Sequence, residues 1–410
     1  MTLPRRILLA DADAFYVAVA RMVDPEGAGR AELLIVGGTR ESRGVVCSAS
    51  YETRRFGVRS AMPISRALRL CPQAMCVPVP GRACSRKHRE IRAVLDRFAP
   101  AVESASIDEW YLDLGGTEAL YHNEALADTA RRMRDAVLEE TQISVSFGGG
   151  ASKLVAKLAV ERAKPKPGTG ATGVHVVEPG DEGEFLATFS LAELPLVGPK
   201  FQERLAKLGM KTVRDVLPYD AVALSRWLGE REGRWLYHRV RGIDQSEVES
   251  RGDAKSISRD ETFSEDIEND DDLHRELLAL VTRAASDLRA DGLTARTITV
   301  RLRDFDFRTR SASRTLPRGV IADRVIHGVA KGLLAKLRSS RAVPARLLGV
   351  ALSSLATDPD ADQLALFEGA AAGMEETPRD RALTPEVYAA IASGELVGAA
   401  AGWPSSTCKR

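Results

Sequence analysis

The hydrophobic pattern changes period repeatedly along the chain, and each change predicts an element. Ile7-Leu8-Leu9-Ala10 is apolar without interruption, which predicts a buried strand, and Ala14 to Met22 predicts the helix after it. Leu33 to Val36 and Gly44 to Ser48 predict two short strands, and Ser65 to Leu70 and Ser85 to Phe98 predict helices. Glu103 to Leu114 predicts a strand, a turn at Asp108-Glu109 and a returning strand from Trp110. Glu124 to Glu140 predicts helix, Ile143 to Phe147 strand, and Lys153 to Arg162 helix. Strand, helix, two strands, helix, strand is the order of a split βαβ sheet. The segment between the first helix and Glu103 is then an insertion able to form a small subdomain.

Lys164-Pro165-Lys166-Pro167-Gly168 breaks the pattern and predicts a boundary near 168. Ser190 to Ile243 reads as short helices with glycine turns, and the polar stretch Asp244 to Ala254 as a linker. Lys255 to Leu355 alternates strands with helices. Within it Ile298, Val300 and Leu302 alternate with polar residues, and Arg308, Arg310 and Arg314 recur at strand-compatible spacing. Such a sheet is expected to present one charged face. The Ala/Gly-rich remainder carries few structure signals.

A chain of 410 residues is long enough for two to four domains. Formal net charge is only +1, so whole-chain charge gives no argument for nucleic acid, but its distribution does. Between Arg296 and Arg346 stand 13 Lys/Arg against 3 Asp/Glu, and from Asp358 to Arg410 stand 4 against 9. One basic module and one acidic tail follow. The five cysteines form no CxxC pair and the six histidines lack zinc-ligand spacing, so reduced cytosolic thiols are expected. Arg5 and Arg6 precede an apolar stretch, yet Asp11 and Asp13 interrupt it, which argues against export. No apolar run reaches membrane-spanning length, and the chain is expected to be cytoplasmic.

The candidate chemistry lies in two acidic patches, Asp11-Ala12-Asp13 after the first strand and Ser106-Ile107-Asp108-Glu109 on the later one. Like charges at the end of an apolar strand repel each other and stay ionised best around a cation, and hard oxygen donors suit magnesium over zinc. Two such ions about 4 Å apart would activate an attacking oxygen and stabilise a leaving oxygen in phosphoryl transfer. Asp108 and Glu109 can serve one cluster only where the backbone turns or bulges, because strand neighbours face opposite ways. Asp-x-Asp after a strand is also a common helix cap or turn. Phosphate candidates shift the balance: Tyr51 and Arg54, three apart, share a face if helical, and Lys157 follows Lys153 by one turn. A nucleotidyl transferase is the result.

These residues resemble a known family. Asp11-x-Asp13-x-Phe15-Tyr16, Val36-Gly37-Gly38, Arg43-Gly44-Val45-Val46, Tyr51-x-x-Arg54-x-Phe56-Gly57-Val58-Arg59-Ser60-Ala61-Met62-Pro63, Ser106-Ile107-Asp108-Glu109-x-Tyr111-Leu112-Asp113 and Ala156-Lys157 are similar to the ordered motifs of Y-family DNA polymerases. The resemblance is nearest to the DinB-like, bacterial DNA polymerase IV branch and covers roughly residues 5 to 367. It implies an α+β multidomain, right-hand polymerase. Residues 1–13 and 78–168 would form a ferredoxin-like (split βαβ) palm, 14–77 small fingers, and 169–243 a helical thumb with a helix-hairpin-helix. Residues 244–254 would be a linker, 255–357 an α/β little finger, and 358–410 a flexible tail.

Asp11, Asp108 and Glu109 would be catalytic, holding two Mg2+ ions with the Ala12 carbonyl. Ser48, Tyr51, Arg54 and Lys157 would cradle the incoming dNTP. Tyr16 would be the steric gate, its ring lying where a ribose 2′-hydroxyl must go. Leu194-Pro195-Leu196-Val197-Gly198-Pro199-Lys200 resembles the hairpin that offers backbone N–H groups to DNA phosphate, with Gly198 and Lys200 as contacts. Arg301, Arg303, Arg308, Arg310 and Arg314 would bind the duplex backbone. Gln363-Leu364-Ala365-Leu366-Phe367 resembles a sliding-clamp peptide, with Gln363, Leu364, Leu366 and Phe367 as anchors.

The chain departs from the family pattern at Ala20, Cys47, Ser50, Trp110 and Leu196, the last standing where the hairpin usually has glycine. The implied activity is templated addition of dNTPs to a primer 3′-hydroxyl by a monomer without proofreading, across damaged templates. A non-catalytic, clamp-tethered DNA-binding adaptor and a two-metal cyclase are the alternatives.

Overall fold

The computed structural model describes residues 5–40, 43–165, 170–250 and 254–357; the clamp-like peptide 363–367 lies outside them. The chain divides into two units, one running to Ala254 and one from Lys255, with Thr262–Asp266 grouping with the first.

In the first unit β1 (Ile7–Ala12) is buried along its whole length, as its unbroken apolar run requires. Ala14, with φ of 46°, turns the chain left-handed into α1 (Phe15–Val23). The insertion follows as β2 (Leu34–Val36), β3 (Ser48–Ala49), α2 (Tyr51–Arg54), α3 (Ile64–Leu70) and β4 (Met75–Val77). Its three strands pair in the order β3-β2-β4 around a core of Ile35, Val46, Val58 and Ile64. The strand expected over 44–48 is shorter, reduced to β3 and one bridge between Val45 and Pro63. The crossing there is close, since a side chain on Gly37 would begin 2.1 Å from the Val45 carbonyl oxygen.

Next come α4 (Gly81–Leu95), β5 (Ala101–Ser104), β6 (Glu109–Asp113), α5 (Leu126–Thr141), β7 (Val145–Gly150), α6 (Lys153–Ala163) and β8 (Val174–Val176). They complete a five-stranded sheet ordered β5-β6-β1-β7-β8, with β1 antiparallel to both β6 and β7. The helix that feeds β5 is α4, packed beside α5, and α1 joins the same core through Phe15 and Val19. That face buries Leu8, Ala10, Trp110 and Phe147, whereas the other is closed by Ala156 and Val160 of α6 against Ile7 and Leu9. A side chain on Gly148 would begin 2.1 Å from the Val160 nitrogen, so α6 lies directly on β7. The start of the polar stretch expected as a linker is fastened to this face. Val248 enters the Ile7 and Leu9 core, Asp244 accepts the Leu154 N–H at 3.0 Å, and the Glu249 N–H donates to Glu103 at 3.0 Å.

The unit continues with α7 (Glu182–Leu186), a 3-10 turn at Leu191–Glu193, α8 (Pro199–Lys207), α9 (Val213–Val216), α10 (Ala221–Leu228) and α11 (Glu230–Arg239), around Leu194, Leu205, Val213, Leu224 and Leu236. The second stretch contains β9 (Ser256–Ile267), α12 (Asp270–Ala290), β10 (Leu293–Asp304), β11 (Thr309–Val320), α13 (Asp323–Ser340) and β12 (Ala345–Thr357). Its sheet runs β11-β10-β12-β9, with both helices packed on the face that buries Ile298, Val300 and Leu302.

Candidate active site

Strand register brings the two acidic patches together. Asp11, at the end of β1, pairs directly with Glu109, the first residue of β6, and directly opposed residues project to the same face. The Ala12 N–H donates to the Asp108 carbonyl at 2.9 Å, which holds the turn before β6 against the end of β1. The turn occupies 105–108, and so frees Asp108 from strand alternation. Asp108 is half-buried and its carboxylate accepts the Ser106 hydroxyl at 2.5 Å. Asp13, by contrast, is a structural anchor: the hydroxyls of Ser144 and Ser146 each donate to it at 2.8 Å.

Asp11 is only 5% exposed. Burial pushes its carboxyl up to about 7, and the Glu109 charge adds to this, while Lys164 and Lys157 oppose it. The Lys164 ammonium lies 2.9 Å from Asp11, and that of Lys157 lies 2.6 Å from Glu109 and 3.8 Å from Asp11. The carboxylates therefore already hold positive charge between them. Among the described residues no three Asp, Glu, His or Cys side chains form a preassembled metal cluster. The donor set still fits magnesium: hard, clustered oxygens at a strand end, electrostatically in need of cations, with two ammonium groups as stand-ins.

A cavity of about 240 Å3 opens beside these carboxylates. Asp11, Ala12, Asp108, Glu109, Tyr16, Ser48, Tyr51 and Arg54 all line it, so eight of the sequence-derived residues share one space. Lys157 does not line it, whereas Lys164 does. Lys164 was missed because its neighbouring prolines read as a boundary; its spacing of seven from Lys157 on one helical face was the available signal. Arg54 donates to the Ala49 carbonyl at 2.9 Å and stacks over the Tyr51 ring at 5.1 Å. Ser50 serves the fold instead, capping α2 through Thr53 and donating to the Glu32 carbonyl at 2.8 Å. Burial raises the Tyr16 phenol, and the Asp108 charge raises it further. The Tyr16 phenol therefore stays a neutral donor. Tyr51 is shifted the same way, by burial and then by Asp13.

In the thumb-like region Gly198 caps the N-terminus of α8 with Pro199 at its first position, and both Gly198 and Lys200 are exposed. Leu196 holds a left-handed φ of 70° with its side chain 81% exposed, so the hairpin keeps a glycine conformation without the glycine.

The expectation of one arginine face is corrected by register. Arg301 and Arg303 pair with Ser311 and Thr309 on the outer face, but Arg310 pairs with Leu302 and Arg314 with Ile298, both buried. Arg310 turns inward to fully buried Asp304 at 2.7 Å, a partner it shares with Arg341 at 2.5 Å, and it also bonds the Leu337 carbonyl. Arg314, on the edge strand, and Arg308, in the turn, remain exposed.

A carboxylate pair at the end of a split βαβ sheet, a basic and aromatic pocket beside it, and a helical hairpin module define a nucleotidyl-transferring polymerase of the right-hand type. Residues 10–161 match the impB/mucB/samB family, 254–366 its C-terminal domain, and 192–244 a thumb domain described for DNA polymerase-iota. DNA polymerase IV of Methanoculleus marisnigri is 39% identical over 87% of this chain and 96% of its own length. A Y-family DNA polymerase chimera superposes with a TM-score of 0.75 at 24% identity, covering 86% of this chain and all of its own. The insertion ternary complex of Dbh DNA polymerase superposes at 0.59 with 25% identity, over 86% of this chain and 100% of that one. The chain belongs to the Y-family DNA polymerases, in the branch of DNA polymerase IV. Its fold is the multidomain α+β polymerase fold, and it is a DNA-directed DNA polymerase of the translesion class.

Proposed function

We propose that Asp11, Asp108 and Glu109, with the Ala12 carbonyl, hold two magnesium ions that serve templated addition of a dNTP to a primer 3′-hydroxyl. The observation that carries this is the Asp11 and Glu109 register pair opening onto the cavity shared with Tyr16, Ser48, Tyr51 and Arg54. When bound, the ions supply charge stabilisation to the attacking and leaving oxygens. The protein's residues do the rest. Arg54 and Lys164 face the triphosphate as cations, Lys164 taking the part expected of Lys157, while Tyr51 and Ser48 add neutral donors. Lys157, 2.6 Å from Glu109, balances the charge of that carboxylate. Tyr16, on the first turn of α1, fills the space that a 2′-hydroxyl needs.

Primer–template DNA is the second partner, as the ternary complex of the Dbh relative suggests. The first-turn N–H groups of α8 beside Gly198, the Lys200 ammonium, and the outer-face Arg301 and Arg303 with Arg308 are the phosphate contacts proposed here. Gln363 to Phe367 would tether the enzyme to a sliding clamp. The described residues contain no helix long and apolar enough to cross a membrane. Primer extension with magnesium tests the core of this reading: Asp108→Ala should abolish templated incorporation yet still bind primer–template. Wild-type incorporation by that variant would remove Asp108 from the metal set.

A further inference from the structure

The turn that carries Asp108 is fastened from two sides. From the sheet, the Ala105 N–H donates to the Glu109 carbonyl and the Ala12 N–H to the Asp108 carbonyl, both at 2.9 Å. From α4, His88 Nδ1 lies 2.9 Å from the Ile107 carbonyl oxygen. A carbonyl only accepts, so Nδ1 carries a proton, and Nε2 lies 3.4 Å from the Ser104 hydroxyl. Ser104 Oγ in turn accepts from Arg92 at 3.2 Å. Arg92, Ser104 and His88 thus form a chain of contacts that ends at the peptide preceding Asp108.

The imidazole is also held flat. It stacks on Trp110 with centroids 5.1 Å apart and planes inclined by 25°. Trp110 is fully buried on the α4 side of the sheet, and its indole N–H has no hydrogen-bond partner among the described residues. An indole at this position therefore sacrifices a hydrogen bond while providing a broad surface beneath His88.

We propose that His88, with Trp110 as its platform, is a positioning residue that sets the peptide plane between Ile107 and Asp108 and so aims the Asp108 carboxylate. A peptide is rigid, so holding the Ile107 oxygen at one end and the Asp108 carbonyl, through Ala12, at the other restrains the φ of Asp108 and with it the direction from which its side chain departs. The carboxylate's bond to Ser106 is local to the turn and moves with it. His88 supplies a second reference point outside the turn, on the α4 side, opposite the one that Ala12 gives from β1. The inference rests on the assignment of Asp108 to the metal set.

His88 borders an open cavity of about 700 Å3 lined also by Arg92, Ser104 and Ile107, so water can take the place of a truncated side chain and the variant should fold. His88→Ala, His88→Asn and His88→Phe, with Asp108→Ala as reference, are to be compared in the full-length protein. Two readouts serve: nucleotide incorporation against magnesium concentration, and hydrogen exchange of residues 101–113 without metal. His88→Ala should raise the half-saturating magnesium concentration about tenfold with KM for dNTP little changed, and should speed exchange in 101–113 alone. His88→Asn, which keeps an N–H donor, should recover much of both, and His88→Phe, which keeps only the stack, should recover neither. A phenylalanine variant equal to wild type, or an alanine variant with unchanged magnesium response, would overturn the proposal. Full activity in Asp108→Ala would instead bring down the metal assignment beneath it, and the inference with it.

Discussion

The two large sheets of this molecule use charge in opposite ways. In the five-stranded sheet both faces are covered, β1 and β7 are buried throughout, and four of the charges near its end, Asp11, Glu109, Lys157 and Lys164, pair with one another at named distances. In the second stretch only one face is covered, so arginines stand in number on the other, loosely held. Arg301 pairs with Asp260 at 3.0 Å and Arg303 donates to Thr309 at 2.9 Å, both at the surface. Doubly covered strands make a charge costly and therefore specific, which suits chemistry. A one-sided sheet tolerates many charges cheaply, which suits a polyanion. Arg310 shows that the distinction concerns environment, since on the covered face of the second sheet an arginine too becomes a structural ion pair.

The largest effect should come from the first sheet. Asp11→Ala or Glu109→Ala should lower nucleotide incorporation by more than about a thousandfold in single-turnover assays while leaving the thermal transition nearly unchanged or raised. Activity within tenfold of wild type would mean that these charges are merely structural. In the second sheet Arg310→Ala should destabilise by about 3 kcal/mol in denaturant unfolding, because fully buried Asp304 loses one of its two arginine partners. A loss of DNA affinity without loss of stability would erase the contrast between its two faces.

Smaller effects sharpen the comparison. Tyr16→Ala should reduce discrimination against ribonucleotides by about 1–3 kcal/mol, measured as the ratio of kcat/KM for the two sugars. Leu196→Gly should stabilise the hairpin by about 1 kcal/mol, as removing the side chain relieves a left-handed φ, and a lowered melting temperature would show that the leucine is packed in use. Arg301→Ala and Arg303→Ala should each reduce the salt slope of DNA binding by about one, with catalysis on saturating DNA little changed; an unaltered slope would remove the outer face from the interface.

The succession of strands and helices was legible as far as α6 because each bears its own period, whereas β8, beyond the proline-rich break, was not read; both acidic patches were legible because charge at the end of an apolar run stands out locally. The helical insertion was visible in outline, but the 44–48 strand was overestimated, since Gly37 lets the chain cross closely rather than pair at length. Lys164 was masked by prolines, and His88 gave no signal at all, lying nineteen residues before the carbonyl it fastens.

By itself the sequence determined which side chains share one face of one strand or one helix, because a strand repeats every two residues and a helix every 3.6. That was enough to name the acidic pair, the tyrosine and arginine that line the same cavity, and the basic module. Only the tertiary structure decided which faces coincide. Antiparallel register set Asp11 opposite Glu109 and turned Arg310 away from Arg301, and the resting of α6 on Gly148 accompanies the approach of Lys164 to Asp11. Register depends on turn lengths and on what the opposite face must bury, and neither is written in the period of a single segment.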